Sequence, residues 1–183
     1  MSEEILVKYG APTLAGLKTG NLISCSYTSK EQFTNDIRKL NVRLRNKGIR
    51  LIPMRYSDSR ALVYAYRPDH LRRDFATNDV VELLEKYGYP HLHPEKCVVL
   101  LADKLRKSVD FPHEIGLFLS YPPEDVRGFI ENKPGSCKCT GCWKVYGDAD
   151  KALKTFAKYQ KCTDVYCAMH NNGAELEKLT IPS

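Results

Sequence analysis

The sequence predicts an α+β fold, a helix-rich single domain over residues 1–183 around a small sheet of about three or four strands. Apolar residues recur at three- and four-residue spacing in several segments, which indicates amphipathic helices. Two short segments rich in β-branched and aromatic residues flank a tight turn, which indicates a hairpin. The length of 183 residues and the 43% hydrophobic content suit one hydrophobic core.

The clearest helix has an apolar stripe that spans residues 30–47. Gly48 can adopt the left-handed conformation that ends many helices, so we place the end of the helix there. Residues 22–27, ahead of this helix, are predicted to form a strand. The stripe consists of Phe33, Ile37, Leu40 and Leu44.

Residues 49–56 and 60–66 are predicted to pair as a hairpin, because a polar turn at residues 57–59 separates them. Pro53 has no N–H to donate, so its strand should lie near an edge of the sheet or contain a bulge. A further short strand is predicted over residues 143–146.

Two helices are predicted in the middle of the chain, over residues 78–87 and 94–107, because both segments carry an apolar stripe and suitable ends. Pro112 and Pro123 each suit a first helical turn, where a missing N–H costs nothing, so a short helix should start at each. Asp148 can cap the last long helix of the chain.

The N-terminal segment has two acidic residues ahead of a short apolar run, so it lacks the basic flank and long apolar core of a signal peptide. No apolar stretch approaches the roughly 18 residues that span a bilayer. We therefore expect a cytoplasmic protein without a membrane partner. Seven cysteines, an odd number, are then better explained as reduced thiols or metal ligands than as a disulfide framework.

The net charge of +6 permits an anionic partner, but the basic residues are spread along the chain. The densest basic run, residues 38–50, lies on the predicted helix over 30–47. No nucleic-acid-binding motif accompanies this run, which favours a solvated helix face over a nucleic-acid partner. A small molecule or a metal ion is the partner that the remaining residues suggest.

Cys137, Cys139 and Cys142 form a Cys-x-Cys-x-x-Cys cluster beside two glycines, where a flexible backbone lets thiolates converge on a soft metal. This is half of a zinc or iron–sulfur site, and a second half at standard spacing is missing. The alternative is a loop that carries free thiols.

His91 and His93 form a second candidate metal site, with Cys97 close behind. Pro90 and Pro94 should keep the segment extended, and alternate residues of an extended segment point to the same side. The alternative is a helix entry shaped by the prolines, with two surface histidines.

His113 and Glu114 form the preferred candidate site. If Pro112 opens a helix, both side chains lie in its first turn, where unpaired N–H groups favour anions. His113 could then act as an acid/base group or a metal ligand, with Glu114 orienting it. The structural alternative is that Glu114 stabilises the helix start and that His113 packs on an aromatic ring such as Phe111.

Lys18 follows the small residues 11–16, and a partly buried lysine there could bind phosphate or form a Schiff base. The glycine spacing of a phosphate-binding P-loop is absent. Trp143 and Lys144 are candidate ligand-binding residues. Neighbours along a strand face opposite sides, so these two can line one wall only if the strand ends there.

Three blocks of the sequence resemble a family of proteins from anaerobes that is known only as a domain of unknown function. The blocks are APTLAGLK at residues 11–18, FPHEIGLFL with its continuation YPPEDV at residues 111–126, and WKVYGD at residues 143–148. The resemblance covers nearly the whole chain and implies no activity and no cofactor. Genes for ferrous-iron uptake and flavodoxins tend to lie near those of the family, which implies a context of iron or redox metabolism.

The chain departs from the family pattern at two places. Tyr9-Gly10 stands where the family often has His-Cys, so a ligand role at that point is in doubt. Cys142 stands where the family usually has tyrosine, which implies that Cys142 is a local feature.

Three hypotheses follow. The first, which we prefer, is a ligand- or metal-binding protein of iron or redox metabolism that uses His113, Glu114 and Lys18. The second is a small enzyme whose acid/base pair is His113 and Glu114, with a reaction that no motif names. The third is a protein-interaction module that uses the basic face.

Overall fold

The computed structural model describes residues 1–107, 110–132 and 136–183, and its α+β architecture confirms the predicted fold class. Three antiparallel strands form the main sheet in the order β1-β3-β2, where β1 is Gly20–Ser26, β2 is Arg50–Tyr56 and β3 is Arg60–Tyr66. The predicted hairpin is therefore confirmed. Its first strand lies at the edge of the sheet.

Pro53 lies where the pairing of β2 with β3 shifts register, between Pro53 and Arg55. Both positions that we expected for this proline, an edge strand and a bulge, are therefore found together. An edge strand tolerates the missing N–H, and the bulge removes the need for one ladder hydrogen bond.

A separate two-stranded ribbon forms from β4, Cys139–Thr140, and β5, Lys144–Val145. The strand predicted over residues 143–146 thus exists in shortened form, and it pairs within this ribbon. The main sheet has three strands, at the lower end of the predicted three or four. The further strand that we predicted belongs to the ribbon instead.

Side chains of β3 alternate between two apolar clusters, because successive residues of a strand face opposite sides. Ala61, Val63 and Ala65 contribute to one cluster. Tyr64 and Tyr66 contribute to the other. Helices therefore cover both faces of the main sheet.

The first face is covered by α1, Glu3–Leu14, and α2, Lys30–Leu44, which a 3-10 turn at Arg45–Lys47 extends. Gly48 ends this segment in a left-handed conformation, as predicted. Helix α1 was not predicted. It contains Pro12 and is buried along much of its length, so it lacks the apolar periodicity of a half-exposed helix.

The second face is covered by a run of short helices around α5. The predicted helix over 94–107 is confirmed, and the one over 78–87 ends a residue early. The helix expected at Pro112 begins later, at Ile115. The helices are α3, Pro68–Asp74; α4, Asn78–Lys86; α5, Pro94–Lys107; α6, Ile115–Phe118; and α7, Pro123–Glu131.

The last helix, α8, spans Ala149–Asn171 and packs along α1. Its predicted cap is confirmed, since the Asp148 side chain accepts a hydrogen bond from the Lys151 backbone N–H. A third apolar cluster joins α8 to the ribbon. It consists of Trp143, Val145, Ala152 and Tyr159.

Arg67 is fully buried and holds three distant segments together. Its guanidinium donates to the carbonyl oxygens of Thr13 and Leu14 at 2.6 Å each and of Ile181 at 2.7 Å. It also donates to the Ser183 hydroxyl at 3.0 Å. The end of α1 and residues 181–183 are thus fixed to the residue that follows β3.

Among the described residues, none of the helices combines the length and the apolar character that crossing a membrane requires.

Candidate functional site

A cavity of about 370 Å³ lies between α6, α7 and the ribbon, and we call it the aromatic cavity. Three of the predicted site residues, His113, Trp143 and Lys144, line it. The remaining lining is mainly apolar: Phe111, Ile115, Gly116, Leu119, Tyr121, Val126 and Phe129, with Asp125.

Asp125 sets the position of Trp143 in this wall. The carboxylate is 3% exposed, and its Oδ2 accepts a hydrogen bond from the indole nitrogen of Trp143 at 2.7 Å. Its Oδ1 accepts the backbone N–H groups of Tyr146 and Gly147, also at 2.7 Å each. Both carboxylate oxygens are therefore engaged, and one side chain of α7 fixes the chain on both sides of β5.

Tyr121 and Phe156 hold the two sides of the indole. The Tyr121 ring stacks on Trp143 with centroids 4.8 Å apart, and the Phe156 ring meets Trp143 edge-on at 4.5 Å. Paired aromatic rings in such geometries add to the stability that burial alone gives. The indole is therefore a fixed wall of the aromatic cavity.

Trp143 and Lys144 both line the aromatic cavity because β5 begins at Lys144. Trp143 precedes the strand, so the alternation of strand residues does not apply to the pair. A strand end between these two residues is the condition under which the sequence allowed both to line one wall. The Lys144 ammonium lies 5.8 Å from the centre of the Phe129 ring.

His113 is exposed at the edge of the aromatic cavity. Its ring contacts Phe129 edge-on, with centroids 4.9 Å apart. The aromatic partner expected from the sequence was Phe111. The ring that it meets instead belongs to α7, which a sequence pattern cannot bring beside His113.

Glu114 lies apart from His113 and has its own partners. It is 5% exposed, and its Oε1 accepts hydrogen bonds from the Lys104 ammonium at 2.8 Å and from the Tyr89 hydroxyl at 3.0 Å. Burial and the neighbouring Glu114 carboxylate raise the pKa of Tyr89, which keeps this hydroxyl protonated as a donor.

The prediction that His113 and Glu114 occupy a first helical turn is wrong. Helix α6 starts at Ile115 and has four residues, with Glu114 as its cap residue. The two side chains sit in the turn before it, and no helix dipole of useful length faces them. Pro112 contributes only its carbonyl, which accepts from Ile115 N–H at 3.2 Å.

Lys18 is 6% exposed and lies in the loop between α1 and β1. Its ammonium is 5.3 Å from the centre of the Tyr121 ring and 5.9 Å from that of Tyr159. Burial lowers the pKa of Lys18 to about 8, and the neighbouring Cys142 opposes this in part. Lys18 does not line the aromatic cavity, but Tyr121 connects the two places.

A second cavity of about 350 Å³ lies on the other side of Tyr121 and Trp143, and we call it the polar cavity. Tyr159 and Asp125 also line it. Its carboxylates include Asp74, which accepts a hydrogen bond from the Thr19 hydroxyl at 2.5 Å. Burial is the main reason why the pKa of Asp74 is raised. The other polar members are Thr77, Ser120, Glu124, Asp148, Lys151 and Thr155.

The cysteine cluster is not gathered around one point. Cys139 belongs to β4, Cys137 lies 3.6 Å from the Thr140 hydroxyl, and Cys142 is exposed in the turn before Trp143. Within residues 1–107, 110–132 and 136–183, no three His, Cys, Asp or Glu side chains are grouped as metal ligands. The geometry therefore does not support the predicted metal site at these cysteines.

His91 and His93 lie in a turn, so the expectation that their segment is extended is wrong. The His93 N–H donates to the Pro90 carbonyl at 2.8 Å, which folds the segment back. His91 Nδ1 lies 3.4 Å from a Glu85 carboxylate oxygen, and His93 is exposed. Cys97 is buried and donates to the Pro90 carbonyl at 3.3 Å. The alternative, a proline-shaped helix entry, describes this region.

Asp125, Tyr121 and Phe129 are among the lining residues that sequence reasoning did not name as site residues. Asp125 follows Pro122, Pro123 and Glu124. At that place an acidic residue predicts only a favourable interaction with the first turn of a helix. Its real partners are residues 143–147, which no local pattern reveals. The signal that was available is the presence of all three residues within or next to the sequence blocks noted above.

The comparisons with known proteins give one result. No match was found among curated proteins or among solved structures. A family model described as protein of unknown function, DUF3793, matches residues 6–180. The match covers almost the entire chain, including the aromatic cavity, Lys18 and the ribbon. This chain therefore belongs to the DUF3793 family of proteins of unknown function.

Proposed function

We propose that this protein binds a small organic molecule with a flat apolar body and one anionic group, and that the aromatic cavity is the binding site. The observation that carries the proposal is a preformed apolar cavity whose lining includes two basic side chains, His113 and Lys144. Pockets for small molecules are typically apolar, with a few polar groups that fix orientation.

The volume and the lining define the apolar part of the ligand. About 370 Å³ falls within the range of roughly 300–1,000 Å³ that is usual for small-molecule sites. The hydrogen bond to Asp125 and the contacts with the Tyr121 and Phe156 rings fix the Trp143 indole, so it offers a rigid surface. Such a wall favours a planar or aromatic group, which can stack on or against the rings.

The polar groups define the charge of the ligand. Lys144 carries a positive charge, and a ring N–H of His113 can donate a hydrogen bond. Asp125 also lines the cavity, but its oxygens already accept three hydrogen bonds. The Asp125 carboxylate also repels an anion, whereas His113 and Lys144 are the basic side chains of the lining and can donate hydrogen bonds to one.

Binding is better supported than acid/base catalysis by His113 and Glu114. An acid/base pair needs both groups within reach of one substrate. Glu114 instead binds Lys104 and Tyr89, while His113 contacts Phe129. The family resemblance implies a context of iron or redox metabolism, and we propose that the ligand is used in that context.

A matched pair of probes tests the proposal. Anilinonaphthalene sulfonate carries an aromatic body and one negative charge, and phenylnaphthylamine is its uncharged counterpart. Trp143 is the chain's one tryptophan and lines both cavities, so energy transfer from it reports that a probe is bound, and the variants decide which cavity holds the probe. We expect Lys144→Ala to weaken binding of the sulfonate about tenfold, the equivalent of one lost charged contact of about 1.4 kcal/mol, and to leave the neutral probe unchanged.

Two control variants locate the probes. Lys151→Ala removes a lysine from the polar cavity and should change neither affinity. Phe111→Ser removes a half-exposed ring from the aromatic cavity and should weaken both probes, whereas Leu92→Ser, at an exposed apolar residue elsewhere, should weaken neither. Equal loss of the sulfonate in Lys144→Ala and Lys151→Ala would overturn the assignment to this cavity.

A further inference from the structure

Glu114 lines a third cavity, of about 460 Å³, which we call the Glu114 cavity. Phe111 and His113 line both this cavity and the aromatic cavity, so the two are neighbours. Lys144 and Trp143 line only the aromatic cavity of these two. The Glu114 cavity therefore has its own polar groups, and a ligand there does not depend on the binding site proposed above.

One oxygen of the buried Glu114 carboxylate is left open. Its Oε1 accepts hydrogen bonds from Lys104 and Tyr89, whereas Oε2 accepts none from any residue that the structure describes. The described unpaired atoms that are closed off from solvent are the Tyr146 hydroxyl and a His170 ring nitrogen, so Oε2 still has contact with solvent. Buried polar groups normally have a hydrogen-bond partner. Because Glu114 lines the cavity, Oε2 is an acceptor that a ligand there can reach.

The Lys104 ammonium, which also lines the Glu114 cavity, uses its donors within the protein. It donates to Glu114 Oε1 at 2.8 Å and to the Tyr87 carbonyl at 2.9 Å. It also faces the Tyr89 ring, with Nζ 4.0 Å from the ring centre. Two hydrogen bonds and one ring face account for the three N–H groups of an ammonium. The pair of Lys104 and Glu114 therefore offers a ligand an acceptor, Oε2, rather than a donor.

The charges of the lining favour a cation. Besides the His113 imidazole, the lining has two carboxylates, Glu114 and the exposed Asp110, against the one ammonium of Lys104. An anion would be repelled by both carboxylates, whereas a cation is attracted to them. A hydrogen bond between a charged donor and a carboxylate is also stronger than one between neutral groups. A protonated nitrogen that carries N–H groups therefore fits the open oxygen of Glu114.

We propose that the Glu114 cavity binds a small organic amine in its protonated form, with an N–H of the ammonium donating to Glu114 Oε2. Asp110 adds a second negative charge. The rest of the lining receives the organic part of the amine, since it includes the side chains of Tyr87, Phe111, Pro112 and Ile130. A volume of about 460 Å³ is within the usual range of roughly 300–1,000 Å³ for small-molecule sites.

A matched pair of probes tests the proposal on the natural protein. Benzylamine is a cation at neutral pH, and benzyl alcohol is an uncharged compound of the same shape. Both are titrated into the protein and followed by the NMR chemical shifts of its backbone amides. We expect benzylamine to bind at least about tenfold more tightly than benzyl alcohol, because only the ammonium makes a charged contact with Glu114. Nuclear Overhauser effects between bound benzylamine and the Ile130 methyl groups should place it in the Glu114 cavity.

Three variants assign the effect to Glu114. Glu114→Gln should weaken benzylamine about tenfold, whereas Glu131→Gln, at an exposed carboxylate outside this cavity, should leave its affinity unchanged. Lys144→Ala should also leave it unchanged, so this proposal and that for the aromatic cavity can fail separately. Equal affinity for the two probes, or bound benzylamine without contacts to Ile130, would overturn the proposal. Both of these results come from the natural protein, so they hold even if Glu114→Gln does not fold.

Discussion

The indole of Trp143 donates a 2.7 Å hydrogen bond to Asp125, while the other oxygen of the same carboxylate accepts two backbone N–H groups. One side chain of α7 thereby satisfies three donors that lie before and after β5. Trp143 belongs to the lining of both the aromatic and the polar cavity. The Asp125–Trp143 pair is therefore the common wall of the two cavities.

Replacing this carboxylate should disturb the wall directly. Asp125→Ala leaves three donors unpaired in a buried place, and we expect the free energy of unfolding to fall by about 3–4 kcal/mol. Urea unfolding followed by Trp143 fluorescence measures the change. Asp58→Ala, in the exposed turn of the hairpin, is the control and should stay within about 0.5 kcal/mol. Equal effects of the two variants would contradict the role of Asp125.

Glu114 should act on stability and not on binding in the aromatic cavity. Glu114→Gln removes the charge that faces the partly exposed Lys104 and keeps an oxygen for Tyr89, so we expect a loss of about 1–2 kcal/mol. Glu131→Gln breaks a half-exposed pair with Lys86 and should cost less than about 0.5 kcal/mol. Affinity for anilinonaphthalene sulfonate should stay the same in Glu114→Gln. A large fall in that affinity, with unchanged stability, would show instead that Glu114 belongs to the binding site.

The depressed pKa of Lys18 predicts a stability difference that depends on pH. Between about pH 8 and 10 the unfolded chain keeps the proton that the folded protein has lost, so the free energy of unfolding of the natural protein rises. At pH 7 the buried charge is present in the folded state, and Lys18→Met should be more stable by about 1–3 kcal/mol. This advantage should shrink as the pH approaches about 10.

Urea unfolding of both proteins at the two pH values measures this difference, because all other titrating groups are shared. Lys154→Met, at an exposed lysine, should show the same stability difference from the natural protein at both pH values. A Lys18→Met difference that does not change with pH would show that the amine titrates normally.

Arg67 should tolerate no substitution that removes its planar guanidinium group. Lysine keeps the charge but cannot direct donors to Thr13, Leu14 and Ile181 at once, so Arg67→Lys should lower the free energy of unfolding by about 2–3 kcal/mol. Urea unfolding again gives the number. Arg73→Lys, on the exposed side of α3, is the control and should change little. If Arg67→Lys were neutral, the buried hydrogen bonds would have no role in stability.

Much of the fold could be predicted because the signals are local. The stripe of α2, the end at Gly48 and the hairpin with its proline bulge are each specified within about 20 residues of sequence, and each was found. Helix α1 was missed because burial on several sides and Pro12 remove the usual pattern. Helix α3 was missed because it is short, with Leu71 as its one buried residue.

The sites could be predicted only in part, because they are made by residues far apart in sequence. His113, Trp143 and Lys144 were named from unusual motifs, and they do share one cavity. Nothing local indicated that Glu114 would bind Lys104, or that Lys18 would meet rings from residues more than 100 positions away. These pairings depend on how the helices pack over the sheet.

The hydrogen bonds of Arg67 also constrain how the chain is made. During synthesis from the N-terminus, its acceptors in α1 precede Arg67, but Ile181 and Ser183 follow it by 114 and 116 residues. A guanidinium buried with unpaired donors is unfavourable. Arg67 therefore cannot be stably buried against the end of α1 until residues 181–183 have left the ribosome. Residues 181–183, more than 110 positions after Arg67, therefore complete the contacts at the end of the first helix.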